Sequence, residues 1–178
     1  MHTALRRMGL LAGLLTGERA LVGPFHVTVD LTARCNLQCF GCRYHCPQVD
    51  FPSLADQTVR DIPFDTVRGL CIDLKAMGTT DVIITGEGEP LLHPRFHAIV
   101  SEIKNAGFYL TLLTNGTLLD HNTISKLIDA GLDALKVSLW ATSADQYQEM
   151  YPGTRVDTFD AVLNGLELVA RAKGERNS

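Results

Sequence analysis

The chain has 178 residues, 46% of them hydrophobic, which suits one globular domain with a core of its own. Its net charge of -4 and pI near 5.8 give no electrostatic basis for nucleic-acid binding, and no apolar run is long enough to span a bilayer. The five cysteines are few and locally clustered, unlike the disulfide framework of a small secreted protein, so reduced thiols and a cytoplasmic location are expected.

Residues 1–22 form an N-terminal helix and lead-in, and residues 23–178 the main domain. Arg6 and Arg7 before the apolar stretch 8–15 loosely imitate a secretory signal. The short apolar core and the missing small-x-small cleavage site favour an amphipathic helix instead, with Leu5, Met8, Leu11 and Leu15 on one stripe and Gly17 after it. Beyond Gly23-Pro24 the pattern changes to β/α alternation. Residues 25–31 alternate like a strand. A helix follows from Asp61 or Ile62, with Pro63 in its first turn and Gly78 at its end. A second strand covers 81–85. Pro94 opens a second helix, apolar at Phe96, Ile99, Val100 and Ile103 and ended by Gly107. Strand three covers 108–113, and a helix over 121–130 is closed by Gly131. Strand four covers 134–139, and a last helix runs over about 159–172. Such alternation predicts βαβ units and a parallel sheet.

Two connections, about 32–61 and 141–157, are too long to be simple links. The second contains Tyr147, Tyr151 and Pro152-Gly153. Both follow the carboxyl ends of strands, where parallel α/β folds place their active sites. His26, Thr28 and Asp30 share one parity of the first strand, as do Lys136 and Ser138 in the fourth. A parallel sheet buried on both faces reads as continuously apolar, so this polarity points to a wet cavity inside a curved sheet, the alternative being an edge strand facing water.

Cys35, Cys39 and Cys42 stand in C-x3-C-x2-C spacing on the first long loop. Three soft thiolates so close together can hold one metal centre. On a four-iron cluster they leave one iron without a protein ligand, and an open iron is a place for chemistry. A structural zinc site needs a fourth ligand, for which His45 or Cys46 is available. Cys71, in the first helix of the alternating region, reads as core.

The run Thr32-Ala33-Arg34-Cys35-Asn36-Leu37-Gln38-Cys39-Phe40-Gly41-Cys42 resembles the signature of the radical S-adenosylmethionine (radical SAM) enzymes. Gly86-Glu87-Gly88-Glu89-Pro90-Leu91-Leu92-His93-Pro94 looks like that family's "GGEPLLxP" segment after the second strand. Thr114-Asn115-Gly116 looks like its "TNG" turn after the third, and Ser138-Leu139 like the "SL" ending of the fourth. The motifs occur in family order over about residues 25–170. The resemblance implies a [4Fe-4S] cluster on Cys35, Cys39 and Cys42, and S-adenosylmethionine chelated by the open iron. Gly86, Glu87, Gly88 and Glu89 are implied beside the cosubstrate's amino group, with Asn115 and Ser138 as further cofactor contacts. It also implies a flavodoxin- or ferredoxin-type electron donor and a small-molecule or peptide substrate, while charge and hydropathy predict no nucleic-acid or membrane partner.

Two residues depart from the family pattern. Gly41 stands where an aromatic residue usually precedes the third cysteine and packs near the adenine, and Glu87 replaces the first glycine of "GGEP". Four βα units are visible where the family builds six. The expected fold is therefore α/β, an incomplete parallel (β/α) barrel holding the first four units of a radical SAM partial barrel, with an N-terminal helix. Set against this enzyme, or fragment of one, are a non-catalytic fragment holding zinc or a cluster and an interaction module that uses its exposed sheet edge.

Overall fold

The computed structural model describes residues 3–17, 20–48 and 61–176. The middle of the loop expected over 32–61 therefore lies outside the described residues. The expected alternation is present. Helix α1 (Thr3–Thr16) precedes strand β1 (His26–Asp30). Then come α2 (Phe64–Met77), β2 (Asp81–Thr85), a single 3-10 turn (Pro90–Leu92), α3 (Phe96–Asn105), β3 (Tyr109–Thr114), α4 (His121–Asp129), β4 (Ala134–Val137), α5 (Ala144–Met150) and α6 (Thr158–Arg176). The four strands form one parallel sheet in the order β1-β2-β3-β4.

Local chemistry sets the helix ends. Gly78 adopts φ 77° after α2, and the Gly78 and Thr79 amides close on the Lys75 and Leu74 carbonyls at 3.0 Å, a glycine C-cap. Asp120 caps α4 by accepting the Thr123 amide at 2.7 Å. The stretch 141–157, expected as loop, contains α5. Ser143 accepts the Gln146 amide, and Gln146 Oε1 accepts the Thr142 amide at 3.0 Å, so Ser-x-x-Gln works as an N-terminal capping pair.

One face of the sheet carries the core. Val29, Val82, Ile84, Leu110 and Leu112 pack against Val67, Cys71, Leu74, Phe96, Ile99, Val100, Ile103, Ile124 and Leu127 of α2, α3 and α4. Cys71 is buried there as expected. The other face is polar and open. His26, Thr28, Asp30 and Lys136 are exposed, and Asp81, Ile83 and Thr85 are half-buried. The shared parity is thus real, but it forms an open face rather than an enclosed cavity. The N-terminal stripe also faces outward: Leu5, Met8, Leu11 and Leu15 are exposed.

Asp133, before β4, ties three elements together. Its carboxylate accepts the Leu110 amide of β3 at 2.7 Å and pairs with Lys104 at the end of α3. Partial burial raises its pKa, but the Lys104 ammonium and the Leu110 amide outweigh that and hold it below the ordinary carboxylate value. A carboxyl with a lowered folded-state pKa stabilises the fold above its unfolded pKa of about 3.9, and the contribution fades as pH falls through the folded value. Asp133→Asn is expected to lose about 1 kcal/mol at pH 7. Urea titrations at pH 7 and pH 2 should show that deficit at the first pH and none at the second.

Candidate active site

The candidate site is assembled where the four strands end. The chain leaves β1 through Leu31 and enters the cysteine loop, whose two ends are joined. Thr32 bridges Asp61, and the Ile62 amide donates to the Leu31 carbonyl at 2.9 Å. The Thr32 hydroxyl and the Arg34 guanidinium both donate to the Asp61 carboxylate at 2.7 Å. Desolvation pushes that carboxyl up, but these two donors and the Arg34 charge bring it below its ordinary value. Buried His93 extends the clamp. Its Nδ1 accepts the Arg95 amide, which leaves the Nε2 hydrogen for the Ile62 carbonyl at 3.0 Å.

The segment after β2 lies directly on this loop. The Gly88 amide donates to the Thr32 carbonyl at 3.0 Å, and the Glu89 amide to the Arg34 carbonyl at 2.7 Å. A Cβ at Gly88 would stand 2.0 Å from the Arg34 oxygen and 2.7 Å from the Ala33 carbonyl carbon. Only glycine fits, and the close approach it permits is to the cysteine loop's own backbone. Glu89, predicted to meet an ammonium, is 2% exposed. Its Oε1 accepts the Leu91 amide at 3.1 Å and the Thr114 hydroxyl at 2.8 Å, and its Oε2 accepts the Asn115 amide at 2.7 Å. Burial raises the Glu89 pKa against these three donors. Gly86 and Glu87 are half-buried beside it.

The turn after β3 completes the link. Gly116 takes φ 83°, the left-handed geometry expected of Asn-Gly. The Asn115 side-chain amide donates to Asn36 Oδ1 at 2.8 Å, and the Asn36 amide donates to the Thr117 hydroxyl at 2.7 Å. Asn115 and Asn36 therefore join the β3 turn to the cysteine loop directly after Cys35. At the end of β4, the Ser138 amide donates to the Thr114 carbonyl at 2.9 Å, and Ser138 itself is exposed.

The far side of the loop rests on α5. Leu37, Ala141, Tyr147, Tyr151 and Phe159 form a second small core, against which Cys35 and Cys39 pack. The Phe40 amide donates to the Met150 carbonyl at 2.8 Å. The two tyrosine rings stack with centroids 4.3 Å apart. Sequence reasoning missed this platform and its signal, the Ser143-x-x-Gln146 cap that turns the stretch into a helix and buries both tyrosines. It gave no role to Asn36 and Thr114 within their motifs, and it missed Thr117.

All five cysteines are free thiols. The Tyr44 and His45 amides point at Cys42 Sγ, at 3.4 and 3.3 Å. Burial, and then the neighbouring Cys35 and Cys42, push the Cys39 thiol up to about 11. Burial also raises Cys35, against the Leu37 amide and with the Glu89 charge adding to the rise. Burial first, and the neighbouring charges after it, thus favour the protonated thiols of Cys35 and Cys39, and a metal centre that takes up thiolates would remove that penalty. Among the described residues, no three of His, Cys, Asp or Glu converge closely enough to hold a single ion. Thiolates on separate irons of a cube need a shared loop rather than a shared point, so the donor set fits an iron–sulfur cluster. Cys46, the suggested fourth zinc ligand, is buried and donates its thiol hydrogen to Gln48.

A sequence model of the radical SAM superfamily matches residues 29–177. The AdoMet-dependent heme synthase of Methanosarcina barkeri is 30% identical over 151 residues, covering 84% of this chain and 40% of that protein. The GTP 3',8-cyclase of Lactiplantibacillus plantarum is 34% identical over 148 residues, covering 82% and 42% respectively. The chain thus spans less than half the length of these relatives. Among solved structures, Streptococcus suis SuiB bound to S-adenosylmethionine superposes with a TM-score of 0.66 at 19% identity, over 89% of this chain and 35% of that one. A second SuiB structure, bound to its precursor peptide SuiA, gives the same TM-score.

The platform makes a stability prediction. Tyr151 Oη accepts the Trp140 amide at 2.9 Å and donates to the Ser138 carbonyl at 3.0 Å, whereas Tyr147 Oη is buried with no partner among the described residues. Tyr151→Phe is expected to cost about 1–3 kcal/mol through the orphaned backbone groups, and Tyr147→Phe to be neutral or stabilising. Urea denaturation of the two variants measures the difference.

Proposed function

The chain belongs to the radical SAM superfamily, and from that premise we propose that Cys35, Cys39 and Cys42 hold a [4Fe-4S] cluster and that S-adenosylmethionine binds against the adjoining strand ends. Enzymes of this superfamily bind both groups. When bound, the pair supplies one-electron cleavage of the sulfonium to methionine and a 5′-deoxyadenosyl radical, which takes a hydrogen atom from the substrate. The electron comes from a flavodoxin- or ferredoxin-type donor.

The chain's own residues position and enclose. The three thiols lose their protons on ligation. The Tyr44 and His45 amides already aimed at Cys42 support the charge that its sulfur then carries. The Gly86–Glu89 segment receives the cosubstrate's amino group. Glu89 Oε2 holds a single protein donor and so keeps capacity for an ammonium. Asn115 keeps the β3 turn against the first ligand's neighbour, Asn36. Ser138 presents its hydroxyl at the end of β4 toward the ribose. The open polar face, with His26, Asp30 and Lys136 exposed on it, is the side from which a small molecule or peptide reaches the radical. The reaction serves peptide or cofactor maturation. Five free thiols suit a reducing cytoplasm, and no helix among the described residues is long and apolar enough to cross a membrane.

One observation carries this reading. The loop bearing three free thiols is hydrogen-bonded by its own backbone to Gly88 and Glu89, so ligands and cosubstrate segment form one unit. Anaerobic reconstitution with iron and sulfide should give a brown protein with about four irons per chain. Reduction with S-adenosylmethionine present should then yield 5′-deoxyadenosine. Serine at Cys35, Cys39 or Cys42 should abolish both, while Cys71→Ser leaves the iron content unchanged. A colourless chain holding one zinc would instead establish the non-catalytic metal fragment.

A further inference from the structure

The sequence contains one tryptophan, Trp140, and its placement is not explained by packing. It is 54% exposed, although an indole is among the largest apolar groups available to a core. Its backbone is nevertheless fixed, since its amide donates to the buried Tyr151 hydroxyl at 2.9 Å. The edge of the ring lies against Gly41, directly before Cys42. From a Cβ at position 41, Trp140 Cζ3 would be 3.0 Å away and Cη2 3.6 Å. The side chain absent at Gly41 has thus left its space to an indole delivered from the end of β4.

This carries a ligand assignment that rests on the proposed S-adenosylmethionine site. The cosubstrate is an amino acid joined to a nucleoside. With its amino-acid end at the cluster held by Cys35, Cys39 and Cys42, its flat base must lie within one nucleoside length of that loop. A base stacks on an aromatic side chain that solvent can reach, and Trp140 is such a ring held on a hydrogen-bonded backbone. We propose that Trp140 is the nucleobase platform of this chain, stacking on the adenine of S-adenosylmethionine in place of an aromatic residue at position 41. The residue touches the cosubstrate and not the metal. It is a binding residue, and it fixes where the 5′-carbon is presented.

The lone tryptophan is also the reporter. In the anaerobically reconstituted chain, S-adenosylmethionine should quench the indole emission with the same midpoint as its retention in equilibrium dialysis, whereas methionine, which lacks the base, should leave the emission unchanged. Trp140→Ala should bind S-adenosylmethionine about tenfold more weakly with iron content and circular dichroism as in the parent. Gly41→Phe alone, forced against the indole, should also weaken binding. Gly41→Phe combined with Trp140→Ala returns a ring to the loop and should restore affinity. S-adenosylmethionine retained in dialysis with unchanged emission, or bound equally well by Trp140→Ala, overturns the assignment and leaves the site standing. Failure of the parent chain to retain S-adenosylmethionine overturns both.

Discussion

Glu89 is the residue on which the architecture of the site turns. Its amide reaches the Arg34 carbonyl on the cysteine loop. Its carboxylate gathers the Leu91 amide of its own 3-10 turn, and the Thr114 hydroxyl and Asn115 amide of the β3 turn. A carboxylate 2% exposed is tolerated only when donors replace the water it has lost. That requirement works in both directions. The donors keep the carboxylate buried, and Glu89, through its carboxylate and its amide together, holds three strand ends at fixed separation. Gly88 is what allows the approach, since any side chain there would occupy the place of the Arg34 carbonyl.

From this point the links close on themselves. β1 is joined to β2 through Thr32 and Arg34, β2 to β3 through Glu89, and β3 to β4 through the Thr114 carbonyl and Ser138 amide. Tyr151 joins β4 to α5, and Phe40 joins α5 back to the cysteine loop. The loop is held from both sides, by the strand ends and by the Tyr147–Tyr151 platform. A site framed by the fold needs less ordering when its cofactors arrive. Inside that frame burial, more than the neighbouring charges, holds the Cys35 and Cys39 thiols above their ordinary pKa, a penalty that metal ligation would relieve.

Much of this was legible in the sequence. The β/α alternation, the glycines ending α2 and α4, the polar parity of β1 and β4 and the cysteine spacing are all short-range signals, and each appears in the structure within a residue or two. What escaped depends on contacts between residues far apart in the chain. Gly88 reads as a ligand-approach glycine until the Arg34 carbonyl is found in its place. Glu89 reads as a group for the cosubstrate's ammonium alone until Thr114 and Asn115, some 25 positions on, close over it. Asn36 reads as an ordinary polar residue until Asn115 and Thr117 arrive beside it. The helix α5 is readable from Ser143-x-x-Gln146, a cap hidden inside a stretch that reads as one long loop after the fourth strand. The apolar stripe of α1 shows the reverse case, a clean helical period whose residues lie in solvent.

The central claim is that this frame exists in the protein chain itself, before any cofactor binds. Amide hydrogen exchange on the metal-free protein tests it directly, because each link is a backbone donor with a named acceptor. The Gly88, Glu89 and Asn115 amides are predicted to exchange as slowly as those of the β2–β3 ladder. Rapid exchange at these three positions in the metal-free chain, with protection gained only after iron and sulfide are added, would contradict the account.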